Sequence, residues 1–166
     1  MSKEVYQFEF STFNSENELD LADQLLMGKA HEAASRAYAP YSKFQVGAAV
    51  LLDNGEIITG NNQENAAYPS GLCAERVAMF YANSRYPEST PLAIAITAFS
   101  ETQVIAEPLA PCGSCRQVMA EYEKKGGKNL KVIMQGQVGP VIVTESMKVL
   151  LPFTFDDDQL LKYTSI

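Results

Sequence analysis

Cys73-Ala-Glu75 and, further on, Pro111-Cys112-Gly-Ser-Cys115 together use every cysteine of the chain. Three thiolates can fill three corners of a zinc tetrahedron and leave the fourth for water. Any fold that exploits this must bring two distant segments to one point. A centre with an open position suits chemistry, and a nearby carboxylate can carry the protons such a water sheds. Cys112 and Cys115 stand three apart, so on a helix they share a face and can grip one ion together. Positions i and i+2 do not share a face, so Glu75 reads as an acid–base group beside the metal and not as a fourth ligand.

Both segments read as helix starts. Two helix N-termini meeting at one point bring positive dipole ends to the thiolates and favour their charged form. Three thiolates on a dication leave a surplus negative charge, which a neighbouring cation would offset. Arg76 follows Glu75, and Arg116 follows Cys115. Other readings explain less. A structural zinc site would want a fourth ligand. A redox Cys-x-x-Cys leaves Cys73-Ala-Glu75 without a purpose. Inert buried cysteines leave the whole pattern unexplained.

The 166 residues are 46% apolar, which suits one globular domain with a full core. The net charge of −7 works against a polyanionic partner. Lys124, Lys125, Lys128 and Lys131 form the one dense basic stretch, and they read as a solvated helix end and loop. The N-terminus lacks a signal pattern, and no apolar run approaches the roughly 18 residues of a membrane helix. A soluble, cytoplasmic protein is expected, and an odd number of cysteines fits a reducing compartment. His31, the one histidine, reads as an ordinary helix residue.

Tyr6, Phe8 and Phe10 alternate with polar residues, so residues 1–14 read as an arm or an extra edge strand ahead of a single domain over 15–166. The capping-box spacing of Ser15 and Glu18 predicts a helix from there to the stop at Pro40, with Ala37 still inside it. Strands follow at 44–52 and 56–60 around the Asp53-Asn54-Gly55 turn. A loop over 61–72 leads to a helix over 73–84. A nearly all-apolar strand spans 92–99 and a second helix 112–124, with strands at 130–134 and 141–144. A helical turn is expected over 145–151. Strands interleaved with helices imply a mixed sheet covered on both faces.

Several stretches together resemble the cytidine deaminase family, in its small homotetrameric zinc form. They are YSKFQVGAA (41–49), NQENAAY (62–68), CAER (73–76) and PCGSCRQ (111–117), and the match spans most of 15–156. The resemblance implies an α/β fold, a three-layer α/β/α domain around a five-stranded mixed sheet. It implies one zinc ion per subunit and hydrolytic deamination of cytidine and 2'-deoxycytidine to uridine and 2'-deoxyuridine plus ammonia, a step of pyrimidine salvage. Residue by residue, it makes Cys73, Cys112 and Cys115 the zinc ligands and Glu75 the proton shuttle. It assigns Asn62 and Glu64 to the ribose hydroxyls, Phe44 to the pyrimidine, and the Ala74 amide to the base. Arg76 becomes the residue that offsets thiolate charge. Phe155, or Phe153 close by, becomes the aromatic supplied by a neighbouring subunit. The partner is then a small nucleoside, with neither nucleic acid nor membrane. A sister deaminase acting on another cytosine-bearing molecule, and a silent nucleoside sensor, are the rival readings.

Overall fold

The computed structural model describes residues 1–162. An irregular arm leads into strand β1 (Ser11–Phe13), then a 3-10 turn at Glu16–Glu18 and helix α1 (Leu21–Ala34). The expected capping box does not open this helix. Glu18 turns its carboxylate outward to the Asn14 amide at 2.9 Å, and Ser15 makes no cap bond. Leu19 is first drawn into the core, and Asp20 then caps α1 by accepting from Asp23 N at 2.8 Å. The helix also ends short of Ala37. Tyr38 leaves it to pair with the next layer, its N–H donating to Asn62 O (3.0 Å) and its carbonyl accepting from Glu64 N (2.8 Å).

β2 (Phe44–Leu52) and β3 (Ile57–Asn61) form a hairpin whose turn places Gly55 at φ +86°, where a side chain would be strained. α2 (Ala74–Arg85), β4 (Pro91–Ser100), α3 (Gly113–Gly126), β5 (Lys131–Gln135) and β6 (Val141–Thr144) follow. Two short helices complete the described chain, α4 (Met147–Leu150) and α5 (Asp157–Leu161).

The strands make one mixed sheet in the order β1-β6-β5-β4-β2-β3, parallel only between β4 and β5. The sheet therefore has six strands where five were expected. The additional one is β1, which pairs antiparallel with β6 and closes an edge. Alternation along β2 divides the core. Ala48, Val50 and Leu52 pack with Met79 of α2 and Met119 of α3, while Ala49 packs with Met27 and Ala30 of α1. This gives three layers, with α1 on one face and α2 and α3 on the other. α2 lies on β3 without a side-chain spacer: a Cβ on Gly60 would come within 2.5 Å of Ala78 N and 2.6 Å of Ala74 O.

The lysines read as a solvated helix end and loop are partly exposed, and they also pair with groups on neighbouring elements. Lys125 donates to Asn83, Lys128 to Asp53 and Lys131 to Asp23. Lys124 pairs with Asp156, Asp157 and Asp158 and so fastens α5 to α3.

Candidate active site and metal centre

α2 and α3 start side by side on one face of the sheet, and their starts carry the cysteines. Cys73 and Cys112 are the N-cap residues, one step before the first helical turn, and Cys115 lies within the first turn of α3. Both N-caps are extended, and neither side chain accepts from a backbone N–H of its own helix. The sulfurs turn toward one another instead. Cys73 Sγ is 3.8 Å from Cys112 Sγ, Cys112 Sγ is 3.4 Å from Cys115 Sγ, and all three lie within 4.8 Å of each other. Zinc–sulfur bonds of about 2.3 Å in a tetrahedron place sulfurs about 3.8 Å apart, so the group fits one zinc ion. None of the three is in a disulfide.

The electrostatics favour the thiolate at Cys73 and the protonated thiol at Cys115. Cys73 is drawn down to about 5, first by the proton that Cys115 donates to it, then by Arg76 and Cys112. Cys115, which gives that proton and is buried, is pushed far up. Arg76 Nη2 lies 3.7 Å from Cys73 Sγ, and its Nε is buried without a partner. Arg116 turns away: its Nε donates to Pro111 O at 2.8 Å and its Nη1 to Leu150 O at 3.0 Å. Of the two arginines flagged in the sequence, only Arg76 reaches the sulfurs. Glu75 is 4% exposed, and burial raises its carboxyl pKa above the usual range.

A cavity of about 810 Å³ opens beside the sulfurs. Phe44, Asn62, Glu64, Cys73, Glu75, Arg76 and Cys112 all line it. Asn62 Oδ1 accepts from Val46 N at 2.8 Å, and its Nδ2 donates to Phe44 O at 2.9 Å. This amide fixes the start of β2 and, with it, the place of Phe44. Glu64 accepts from Tyr41 N (2.9 Å) and Ser42 N (3.3 Å), and from the Ser42 hydroxyl. Those bonds, the hydroxyl's first, hold its carboxyl below the usual range. Ala74 is buried as the first residue of α2, where a helix leaves N–H groups free of its own ladder.

Phe155 stands apart from this cavity. It is 56% exposed, and its carbonyl accepts from Gln117 Nε2 at 2.6 Å. Phe153 is also exposed, with its ring 6.5 Å from that of Tyr6. His31 sits on α1 within 3.4 Å of Thr97, Gln135 and Glu16, in the other layer of the fold. Tyr41, Ser42, Tyr68, Leu109 and Ala110 also line the cavity. The first three lie inside the quoted motifs, but nothing in their residue types marks them as cavity walls.

The chain matches the model of the cytidine and deoxycytidylate deaminase zinc-binding region over residues 21–126. It is 43% identical over 136 residues to a cytidine deaminase of Halalkalibacterium halodurans, covering 81% of this chain and 96% of that protein. It is 41% identical over 113 residues to a cytidine deaminase of Mycobacterium tuberculosis, covering 68% and 78%. A crystal structure of cytidine deaminase from Burkholderia pseudomallei superposes with a TM-score of 0.68 at 41% identity, over 79% of this chain and 97% of that one. The chain belongs to the cytidine and deoxycytidylate deaminase family, whose zinc-binding region it carries. Among the described residues, no helix is long and apolar enough to cross a membrane.

Proposed function

We propose that the protein deaminates cytidine and 2'-deoxycytidine hydrolytically, with Cys73, Cys112 and Cys115 as the ligands of one zinc ion and Glu75 as the proton carrier. One observation carries the reading: three sulfurs lie within 4.8 Å of each other, and two of their residues, Cys73 and Cys112, border the same cavity as the buried Glu75. Bound zinc supplies a water acidic enough to lose a proton near neutral pH. Glu75 takes that proton and passes it to ring N3. The water oxygen bonds to C4; Glu75 then takes the proton still on that oxygen and gives it to the amino group as the C4–N bond breaks and the C4 carbonyl forms. Ammonia and uridine, or 2'-deoxyuridine, leave. A carboxyl raised by burial is suited to both halves of this exchange.

The other residues position the nucleoside. Phe44 packs on the pyrimidine, and the Ala74 N–H donates to it. Asn62 and Glu64 meet the sugar hydroxyls, which makes free cytosine a poor substrate because buried polar groups are then left unpaired. Arg76 offsets the surplus charge of the thiolates. Phe155, or Phe153 beside it, reaches the cavity of a neighbour in a homotetramer, consistent with its exposure and its distance from the cavity of its own chain. We place the protein in the cytoplasm, in pyrimidine salvage, with residues 1–14 as an arm on one domain over 15–166. Neither nucleic acid nor membrane is a partner in this reading.

The test is ammonia release from cytidine by zinc-loaded protein, beside Glu75→Ala. The variant keeps its zinc and loses about 10²–10⁴ of the rate, the usual contribution of a positioned acid–base group. Fast release from the variant removes Glu75 from its role. No release from the parent protein overturns the substrate.

A further inference from the structure

The turn that delivers Phe44 into the cavity is closed by Ser42, to which neither the motif nor the function gives a role. We infer that Ser42 is a positioning residue that couples the base-side aromatic to the sugar-side carboxylate. The inference rests on the nucleoside reading of this cavity.

The turn is held against its own preference. Lys43 has φ +58°, a left-handed conformation that non-glycine residues rarely adopt unless the surroundings enforce it. Two backbone bonds help: Lys43 N donates to Ala39 O at 3.1 Å, and Glu101 N to Lys43 O at 3.4 Å. The remaining contacts converge on Ser42 and Glu64. The Ser42 hydroxyl donates to Glu64 Oε1 and accepts from Phe44 N at 3.0 Å. One side chain therefore bonds both the residue assigned to the base and the residue assigned to the sugar.

The acceptor capacity of Glu64 shows why the coupling matters. An ionised carboxylate offers about four lone-pair sites. Oε2 takes two backbone donors, Tyr41 N and Ser42 N, while Oε1 takes only the Ser42 hydroxyl. Oε1 is the oxygen with capacity left for a sugar hydroxyl, and it is the oxygen that Ser42 holds. Without Ser42, Oε1 is less well placed and Phe44 N loses its partner. Both effects loosen the bound nucleoside and leave the sulfur cluster and Glu75 untouched.

The test compares Ser42→Ala and Ser42→Thr with the parent protein. Ser42→Ala raises KM for cytidine about tenfold, the scale of one lost hydrogen bond with its partner left unpaired, and kcat stays within about threefold. Uridine loses affinity as an inhibitor by more than uracil does, because only uridine meets Glu64. Ser42→Thr, which keeps the hydroxyl, restores most of KM. Amide hydrogen exchange at Phe44 speeds up in Ser42→Ala alone. A KM within twofold of the parent in Ser42→Ala overturns the inference, as does a Thr variant as impaired as Ala. If the parent protein does not act on cytidine, the substrate reading fails by itself. The exchange rate at Phe44 then decides: faster in Ser42→Ala supports the positioning role, and unchanged overturns it.

Discussion

Among the described residues, three α-helix starts are capped by a side chain, those of α1, α4 and α5, and two, those of α2 and α3, are not. Asp20 caps α1 and Ser146 caps α4, each side chain accepting from a backbone N–H of the first turn, Asp23 N at 2.8 Å and Lys148 N at 3.2 Å. Cys73 and Cys112 hold the same position on α2 and α3 and cap nothing. A good N-cap is worth about 1 kcal/mol, so the helices at the site forgo that stabilisation at the point where they meet. In return, two sets of free N–H dipoles face the sulfurs. The capped helices serve the fold, and the uncapped ones serve the metal.

The comparison breaks most readily on removal of the ion. Stripping zinc with a chelator should cost roughly 3 kcal/mol or more, about 10 °C in Tm, read by calorimetry on both forms. Hydrogen exchange should rise at the starts of α2 and α3 and stay unchanged at α1. Equal stability with and without zinc would show that the uncapped starts need no ion. Asp20→Ala comes next, with a loss of about 1 kcal/mol by denaturant titration and an unchanged zinc content. The smallest effect is the most pointed. Cys112→Ser places a capping hydroxyl at the start of α3. It should weaken zinc binding severely yet make the zinc-free protein about 0.5 kcal/mol more stable than the zinc-free parent. A destabilised zinc-free variant would mean that Cys112 already serves its helix.

Much of this was legible in the chain because the signals were local. The apolar runs 44–52 and 141–144 are strands with those limits, and α2 and α3 start within a residue of where the cysteines and Pro111 placed them. Misreadings arose where tertiary contacts outbid local ones. Ser15 and Glu18 have capping spacing, but burial of Leu19 delays the helix to Asp20. The arm over 1–14 does supply an extra edge strand, but β1 forms at Ser11–Phe13, where β6 offers an edge, and not over the aromatic alternation of Tyr6, Phe8 and Phe10. Helix α5 carries a local signal, Asp156 capping it by accepting from Gln159 N at 3.3 Å, but is too short to stand out by periodicity; Lys124 of α3 also pairs with its acidic start. At the site, Cys73, Cys112, Cys115 and Glu75 stood out by residue type and spacing. Ser42 did not, because its part depends on one torsion at Lys43 and on Glu64 in another segment.

Gly60 has a consequence for how the sulfur cluster moves. Where helices rest on side chains, the layer between them can flip rotamers and absorb a displacement, as a cushion does. At Gly60 α2 has no such cushion over β3, because a Cβ there would meet the main chain of Ala74 and Ala78. Cys73, one residue before Ala74, is therefore mounted on the sheet much as a tool is bolted to a bench. Its sulfur should shift less with rotamer changes in the core than one carried on a layer of side chains.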